Sequence, residues 1–319
     1  MITLSQAEAQ AILSSYDKNV GNIAIQQINT GYHATVFHLS TDGKELIVKV
    51  GNSHEFQKNC EKEANVFDLL RKADIPVPEV LMVDFSEARV PYSFIVTSKV
   101  SGTQMNQVDF DSLSKARKQS LYEELGNYVA RMHAINNNVF GDSWKGESFT
   151  TWSSALDSQF EQQLRVLQGT VFEESRRKMK EYFDANKAIV DLPTAGSFLH
   201  MDLHRGNIFV ENNHITGFID PGDVLWGSNE YDLMRLELAH FSSEEENTYK
   251  QFFTSYERHG GNFLPGYKKR RALYWLTRVP VSMGLIVTFP EKYSEYYDRA
   301  VLEEQTSLDR FLKEGVLEL

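Results

Sequence analysis

The stretch from Leu199 to Asp223, LHMDLHRGNIFVENNHITGFIDPGD, constrains this chain more than any other. Apolar runs at Ile208, Phe209, Val210 and at Ile215, Gly217, Phe218, Ile219 flank a turn at Asn212-Asn213, and together they read as a tight β-hairpin. A hairpin folds its two ends together. Asn207, just before the first strand, is therefore predicted to lie near Asp220 at the end of the second, and Asp202 stands a short loop upstream of Asn207.

An amide oxygen and a carboxylate side by side make a hard-oxygen site of the kind Mg²⁺ accepts while it keeps waters and takes further ligands from phosphates. Asp202, set apart from that pair, can accept a hydrogen bond from an incoming hydroxyl and aim it at a phosphorus. Such a base needs position more than strength.

The segments His200-Met201-Asp202-Leu203-His204-Arg205-Gly206-Asn207, Ile219-Asp220-Pro221-Gly222-Asp223 and Glu230-Tyr231-Asp232-Leu233 resemble, as an ordered set, the aminoglycoside phosphotransferase family. That family sits among small-molecule kinases that include choline, fructosamine and homoserine kinases. The resemblance implies an α+β, protein-kinase-like two-lobe fold, with an antiparallel sheet in a nucleotide-binding lobe over residues 1–100 and a mainly helical catalytic and acceptor-binding lobe over residues 101–319. It also implies ATP as donor, with GTP left open, Mg²⁺ held by Asn207 and Asp220, Asp202 as the catalytic group, and a small molecule bearing a hydroxyl as acceptor. His204, Arg205 and Asp223 are candidates for touching that acceptor. Met201 stands where the family usually has Gly or Ala, and Pro221 where an aromatic often follows the metal Asp, so the acceptor is not borrowed from the best-known members.

Three rival readings keep a place. One is a choline-, fructosamine- or homoserine-type metabolite kinase, although the Trp that fructosamine kinases usually carry after Asp-Leu is replaced here by His204. Another is a Ser/Thr protein kinase, for which the short interval from Asp220 to the Tyr231-Asp232 helix leaves no room for an activation loop. The third is a nucleotide-binding scaffold without activity, against which speaks the presence of Lys49, Glu63, Asp202, Asn207 and Asp220 together.

The chain has 319 residues and 41% hydrophobic content, ample for a large core or two lobes. Its 33 Lys and Arg against 44 Asp and Glu give a net charge of −11. That balance argues against nucleic acid and anionic membrane as partners and suits a cationic substrate. Lys268-Lys269-Arg270-Arg271 is too short a basic run to reverse it. The single cysteine, Cys60, fits a reducing compartment, and with neither a leader-like N-terminus nor an apolar span the expectation is a cytoplasmic protein.

In the first lobe, residues 3–16 read as a helix and Ile23–Ile28, Thr35–Leu39 and Leu46–Val50 as strands, with Asp42-Gly43 a hairpin turn. Lys49 lies in an apolar run read as a strand buried on both faces, where an unpaired ammonium is costly. Over Glu55–Arg71, Phe56, Cys60, Phe67 and Leu70 form one helical stripe that contains Glu63. Lys49 and Glu63 each break a local pattern and each relieves the other; Glu61, off the stripe, is the fallback partner. By resemblance Lys49 would hold the α- and β-phosphates, Glu63 would hold Lys49, the turn containing Gly31 would cover the phosphates, and backbone groups from Ser98 to Val100, at the end of the strand predicted over Ser93–Val100, would meet the adenine edge.

In the second lobe, residues 114–135 read as a helix flanked by His133, a packing or hydrogen-bonded residue. Ser148–Lys187 is predicted helical with a solvated, mixed-charge face over Glu173–Lys180. Asp232 is expected to tie its helix to the catalytic loop and His200 to support that loop. Ser243–Glu246 reads as a capping box, and Pro280 interrupts the helical pattern of Lys268–Val287.

Overall fold

The computed structural model describes residues 2–14, 21–30, 34–241 and 246–314. Gly31 and the capping box at Ser243–Glu246 lie wholly or partly outside the described residues. In chain order the elements begin α1 (Gln6–Leu13), β1 (Ala24–Thr30), β2 (Thr35–Thr41), β3 (Lys44–Gly51), α2 (His54–Lys72), β4 (Val80–Asp84) and β5 (Ser93–Ser98). They continue with β6 (Thr103–Gln104), α3 (Lys115–His133), β7 (Asn136–Asn137), α4 (Trp152–Arg165), α5 (Glu173–Asn186), β8 (Gly196–Leu199), β9 (Ile208–Glu211) and β10 (His214–Phe218). Last come β11 (Leu225–Gly227), α6 (Asn229–Leu236), α7 (Glu246–Arg258), α8 (Tyr267–Leu276), α9 (Val279–Thr288) and α10 (Tyr297–Glu314).

The chain forms two compact units. The first comprises Met1–Met132, Asp202–Val224 and Glu245–His259, and the second His133–Met201, Leu225–Glu244 and Gly260–Leu319.

In the first unit an antiparallel sheet of order β1-β2-β3-β5-β4 is built around the β2–β3 hairpin, whose turn residues Asp42 and Gly43 both take positive φ, as the primed turn of a two-residue hairpin requires. Phe37, Leu39, Leu46, Val48, Val50, Phe94 and Val96 point to one face and pack with Ile12 and Leu13 of α1. On the other face Ile95 packs with Phe56 and Cys60 of α2. The expectation that Leu46–Val50 is buried on both faces is corrected: Ile47 and Lys49, on the α2 side, line an open cleft. Alternation along the strand thus separates a core face from a working face.

The same unit contains a second sheet of order β10-β9-β6. Asn212 and Asn213 close the β9–β10 hairpin at φ 52° and 66°. Asn tolerates this left-handed region better than most residues do. Gly217 must lack a side chain, since a Cβ there would sit 2.6 Å from Val100 Cγ1.

The second unit gathers α4, α5, α8, α9 and α10 around Trp152, Phe160, Phe183, Tyr231, Tyr274 and Met283, beside a small sheet of order β11-β8-β7. Its centre also contains an ion pair, Arg270 to Glu230 at 2.6 and 2.7 Å, with further bonds from Arg270 to the carbonyls of Leu264 and Pro265. The mixed-charge face of α5 is spent on surface pairs, Arg176 with Glu173, Arg177 with Glu174 and Lys178 with Asp309. The helical pattern around Pro280 resolves into α8 and α9, with the proline in the first turn of α9, where its missing N–H costs nothing.

Candidate active site

Lys49 projects from the working face of β3 toward α2, which Ser53 starts by accepting a hydrogen bond from the Phe56 amide. Its Nζ lies 2.7 and 2.8 Å from the two Glu63 carboxylate oxygens, with side-chain exposures of 23% and 11%. Burial alone would lower the Lys49 pKa, but attraction by Glu63 and Asp220 and the Glu63 hydrogen bonds hold it above its ordinary value. The ammonium is therefore a fixed positive charge at neutral pH. Glu61 is exposed and takes no part in this pair.

The loop after β8 is held from the second unit's own helix α6. Asp232 accepts hydrogen bonds from the amides of His200 at 3.0 Å and Met201 at 2.9 Å, and lies 3.3 Å from His133 Nε2. Two backbone donors and an imidazole on one buried carboxylate fix the loop's start; burial would raise the Asp232 pKa, but the His133 hydrogen bond and the attraction of His133, His200 and Arg235 keep it low. Met201 has φ 68°. That left-handed backbone gives the physical reason a glycine would suit the position and why Met201 needs the Asp232 clamp.

Within the first unit Asn207 is 5% exposed, and its Nδ2 donates to the Asp202 carbonyl at 2.9 Å and to Asp202 Oδ2 at 3.0 Å. A planar amide whose N–H groups face Asp202 turns its oxygen the other way. The Asn207 carbonyl accepts from the Ile219 amide at 3.0 Å, which draws the two ends of the hairpin together and sets Asp220 beside Asn207. Asp220 itself takes φ 58°, ψ 62°, a conformation costing about 1–2 kcal/mol in an L residue.

Lys49, Glu63, Asn207 and Asp220 line one cleft of roughly 430 Å³, walled by Phe209, Ile219 and the Thr97–Val100 stretch. Among the described residues no group of three or more His, Cys, Asp or Glu is placed to hold a metal. An amide oxygen and one carboxylate are too few for a closed site and suit a Mg²⁺ that completes its shell with water and phosphate oxygens.

The other predicted residues divide. His204 is close: its Nδ1 accepts from the Gly206 amide at 2.9 Å, and its Nε2 lies 3.6 Å from Asp202 Oδ2. Because Nδ1 is an acceptor, the proton of a neutral ring belongs on Nε2, facing Asp202. Arg205 is committed elsewhere, donating to the Tyr122 hydroxyl at 2.7 Å and lying 4.4 Å from the Phe110 ring centroid. Asp223 is exposed on the turn after Asp220. Ser98 and Val100 line the cleft, but the Ser98 amide donates to the Glu79 carbonyl at 2.9 Å. Sequence reasoning missed Gln104, whose side-chain amide donates to the Gly206 carbonyl at 2.7 Å and braces the loop. A lone polar residue in the two-residue strand β6 carries no signal of such a reach.

The phosphotransferase enzyme family matches residues 24–273. Hygromycin-B 4-O-kinase of Escherichia coli is 20% identical over 219 residues, covering 66% of this chain and 61% of that protein, so the chain spans about 61% of the length of the curated relative it matches. Among solved structures, aminoglycoside phosphotransferase APH(4)-Ia superposes with a TM-score of 0.69 at 15% identity, covering 98% of this chain and all (100%) of that one. A thermostable variant of that enzyme in ternary complex with AMP-PNP and hygromycin B gives 0.67 at 14% identity, over 97% and 99%. A GDP and kanamycin complex of APH(2")-IIia gives 0.67 at 14% identity, over 94% and 99%. At such identities the likeness establishes the fold, the two-lobe α+β architecture of the aminoglycoside kinases.

Proposed function

The chain belongs to the phosphotransferase enzyme family, and from that footing we propose that it is a Mg²⁺-dependent kinase moving the γ-phosphate of ATP onto a hydroxyl of a small molecule. One observation carries the reading: the Asn207 side-chain N–H groups are held by Asp202, and Asn207 lines the same cleft as Lys49, Glu63 and Asp220.

In this reading Lys49 neutralises the α- and β-phosphates and Glu63 keeps it aimed. Asn207 and Asp220 would hold Mg²⁺, which when bound supplies positive charge to the phosphate oxygens as transfer proceeds. Asp202 accepts the proton of the acceptor hydroxyl; its hydrogen bond to Asn207 fixes its distance from the metal ligands. Adenine is met by the Ser98 carbonyl and Val100 amide, since the Ser98 N–H is already used. GTP stays a second candidate donor, supported by a structural relative that binds GDP. Residues 1–100 serve the nucleotide, and residues 101–319 serve catalysis and the acceptor. The acceptor class is an aminoglycoside-like antibiotic or another amine- or sugar-bearing metabolite, in keeping with the net charge of −11 and with the relatives that act on hygromycin B or bind kanamycin. No described helix is long and apolar enough to cross a membrane, and the proposed setting is the cytoplasm.

The test is nucleotide consumption with Mg²⁺ across a panel of hygromycin B, kanamycin, choline, homoserine and glycated amines. Acceptor-dependent turnover that falls about a hundred- to ten-thousand-fold in Asp202→Ala is expected for a general base. Binding of Mg·ATP with no transfer to any acceptor would instead leave a nucleotide-binding scaffold.

A further inference from the structure

Two charged residues stand side by side in α2 and both are buried, Lys62 at 2% and Glu63 at 8% exposure. Glu63 is explained by Lys49. Lys62 is not, and lysine is almost never fully buried unless its ammonium is satisfied.

Its Nζ donates to the Gly222 carbonyl at 2.9 Å, across 160 residues of sequence. Gly222 belongs to the single 3-10 turn Pro221–Asp223 that follows Asp220, and no side chain caps the start of that turn. The turn packs against α2. Asp220 has a left-handed backbone conformation, φ 58°, which is strained for an L residue and tolerated mainly by Gly, Asn and Asp. Adjacent residues of one helix therefore bind the two charged sides of the cleft, Glu63 the phosphate-facing ammonium of Lys49 and Lys62 the backbone that aims Asp220.

We propose that Lys62 is a positioning residue for the metal site: through the Gly222 carbonyl it fixes the turn that points the Asp220 carboxylate at Mg²⁺. This rests on the reading of Asp220 as a metal ligand. A hydrogen bond behind a ligand sets its direction, and its loss weakens metal binding by about ten- to a hundredfold in known sites. Nucleotide held through Lys49 and the strand end at Ser98–Val100 is left largely unaffected, which separates this role from a general loss of folding.

The experiment titrates Mg²⁺ into protein holding a fluorescent mant-ADP, with no turnover required, and measures nucleotide affinity separately in EDTA. Lys62→Met is expected to weaken Mg²⁺ about tenfold or more while the EDTA affinity stays within about threefold. Lys62→Arg, which keeps a cationic donor of similar reach, is expected to restore most of the Mg²⁺ affinity. Lys62→Gln is too short to reach Gly222 and is expected to reproduce the Met loss; it asks the same question should the Met variant fail to fold. Mg²⁺-dependent binding that is lost in Asp220→Ala yet unchanged in Lys62→Met and Lys62→Gln overturns this inference alone. Wild-type binding that ignores Mg²⁺ overturns the proposed function with it.

Discussion

Cys60 sits on α2 one turn before Glu63, 2% exposed, and its thiol is pushed up to about 12, chiefly by burial and then by the Glu63 charge. The folded thiol therefore keeps its proton where the unfolded one, near 8.5, loses it. Between those values the native state binds more protons than the unfolded, and stability contributed by the neutral thiol declines with rising pH by about 1.4 kcal/mol per unit. Denaturation midpoints measured from pH 8 to 11 should fall more steeply for the wild type than for Cys60→Ala; parallel profiles would remove the thiol from the account. Single residues differ in how visible they are before folding. Lys49 and Glu63 could be paired from sequence because each interrupts an apolar pattern, and their pairing is an energetic necessity wherever the strand and helix meet. Lys62 and Gln104 interrupt nothing that periodicity can detect. Their partners are backbone carbonyls at Gly222 and Gly206, and a carbonyl leaves no mark in the sequence.

The loop from His200 to Asn207 is an element whose shape comes from its borders. At its start Asp232 clamps two amides, and at its end the hairpin carries Asn207 to Ile219. Asp232→Ala would leave buried donors and an imidazole without their carboxylate, a loss of about 3–5 kcal/mol. The Asp232 carboxyl is held below its ordinary range, so its stabilising share is complete above the unfolded value and disappears as pH falls through the folded one. Chemical denaturation should accordingly show a large deficit for the variant at pH 7 that narrows toward pH 3; a deficit that is small or independent of pH would mean that the loop is held by something else. The hairpin itself was legible because period-two alternation and Asn-Asn at a tight turn are local properties. The strand predicted over Ser93–Val100 ends at Ser98, with one more bond from the Lys99 amide to the Glu45 carbonyl of β3 beyond it. Apolar character continues past that point for packing, as Val100 against Gly217, and pattern alone does not distinguish packing from pairing.

At the scale of the whole molecule, all the proposed catalytic and metal-binding side chains belong to the first compact unit, although the chain leaves that unit between Met132 and Asp202. The second unit has its own aromatic core and its buried Glu230–Arg270 pair, with a pocket of roughly 680 Å³ among α8, α9 and α10. Acceptor choice was illegible in sequence because helical periodicity specifies an inward face without naming its neighbour. In the proposed function Asn207 and Asp220 hold the metal of a bound nucleotide while Asp202 stands apart from it. Electron paramagnetic resonance of Mn²⁺, used in place of Mg²⁺ with ADP, tests this most directly by comparing the wild type with Asn207→Ala, Asp220→Ala and Asp202→Ala. Nucleotide-dependent Mn²⁺ binding is expected to be lost or strongly weakened in Asn207→Ala and Asp220→Ala and retained in Asp202→Ala. Equal binding in all four proteins, or loss in Asp202→Ala alone, would contradict the assignment.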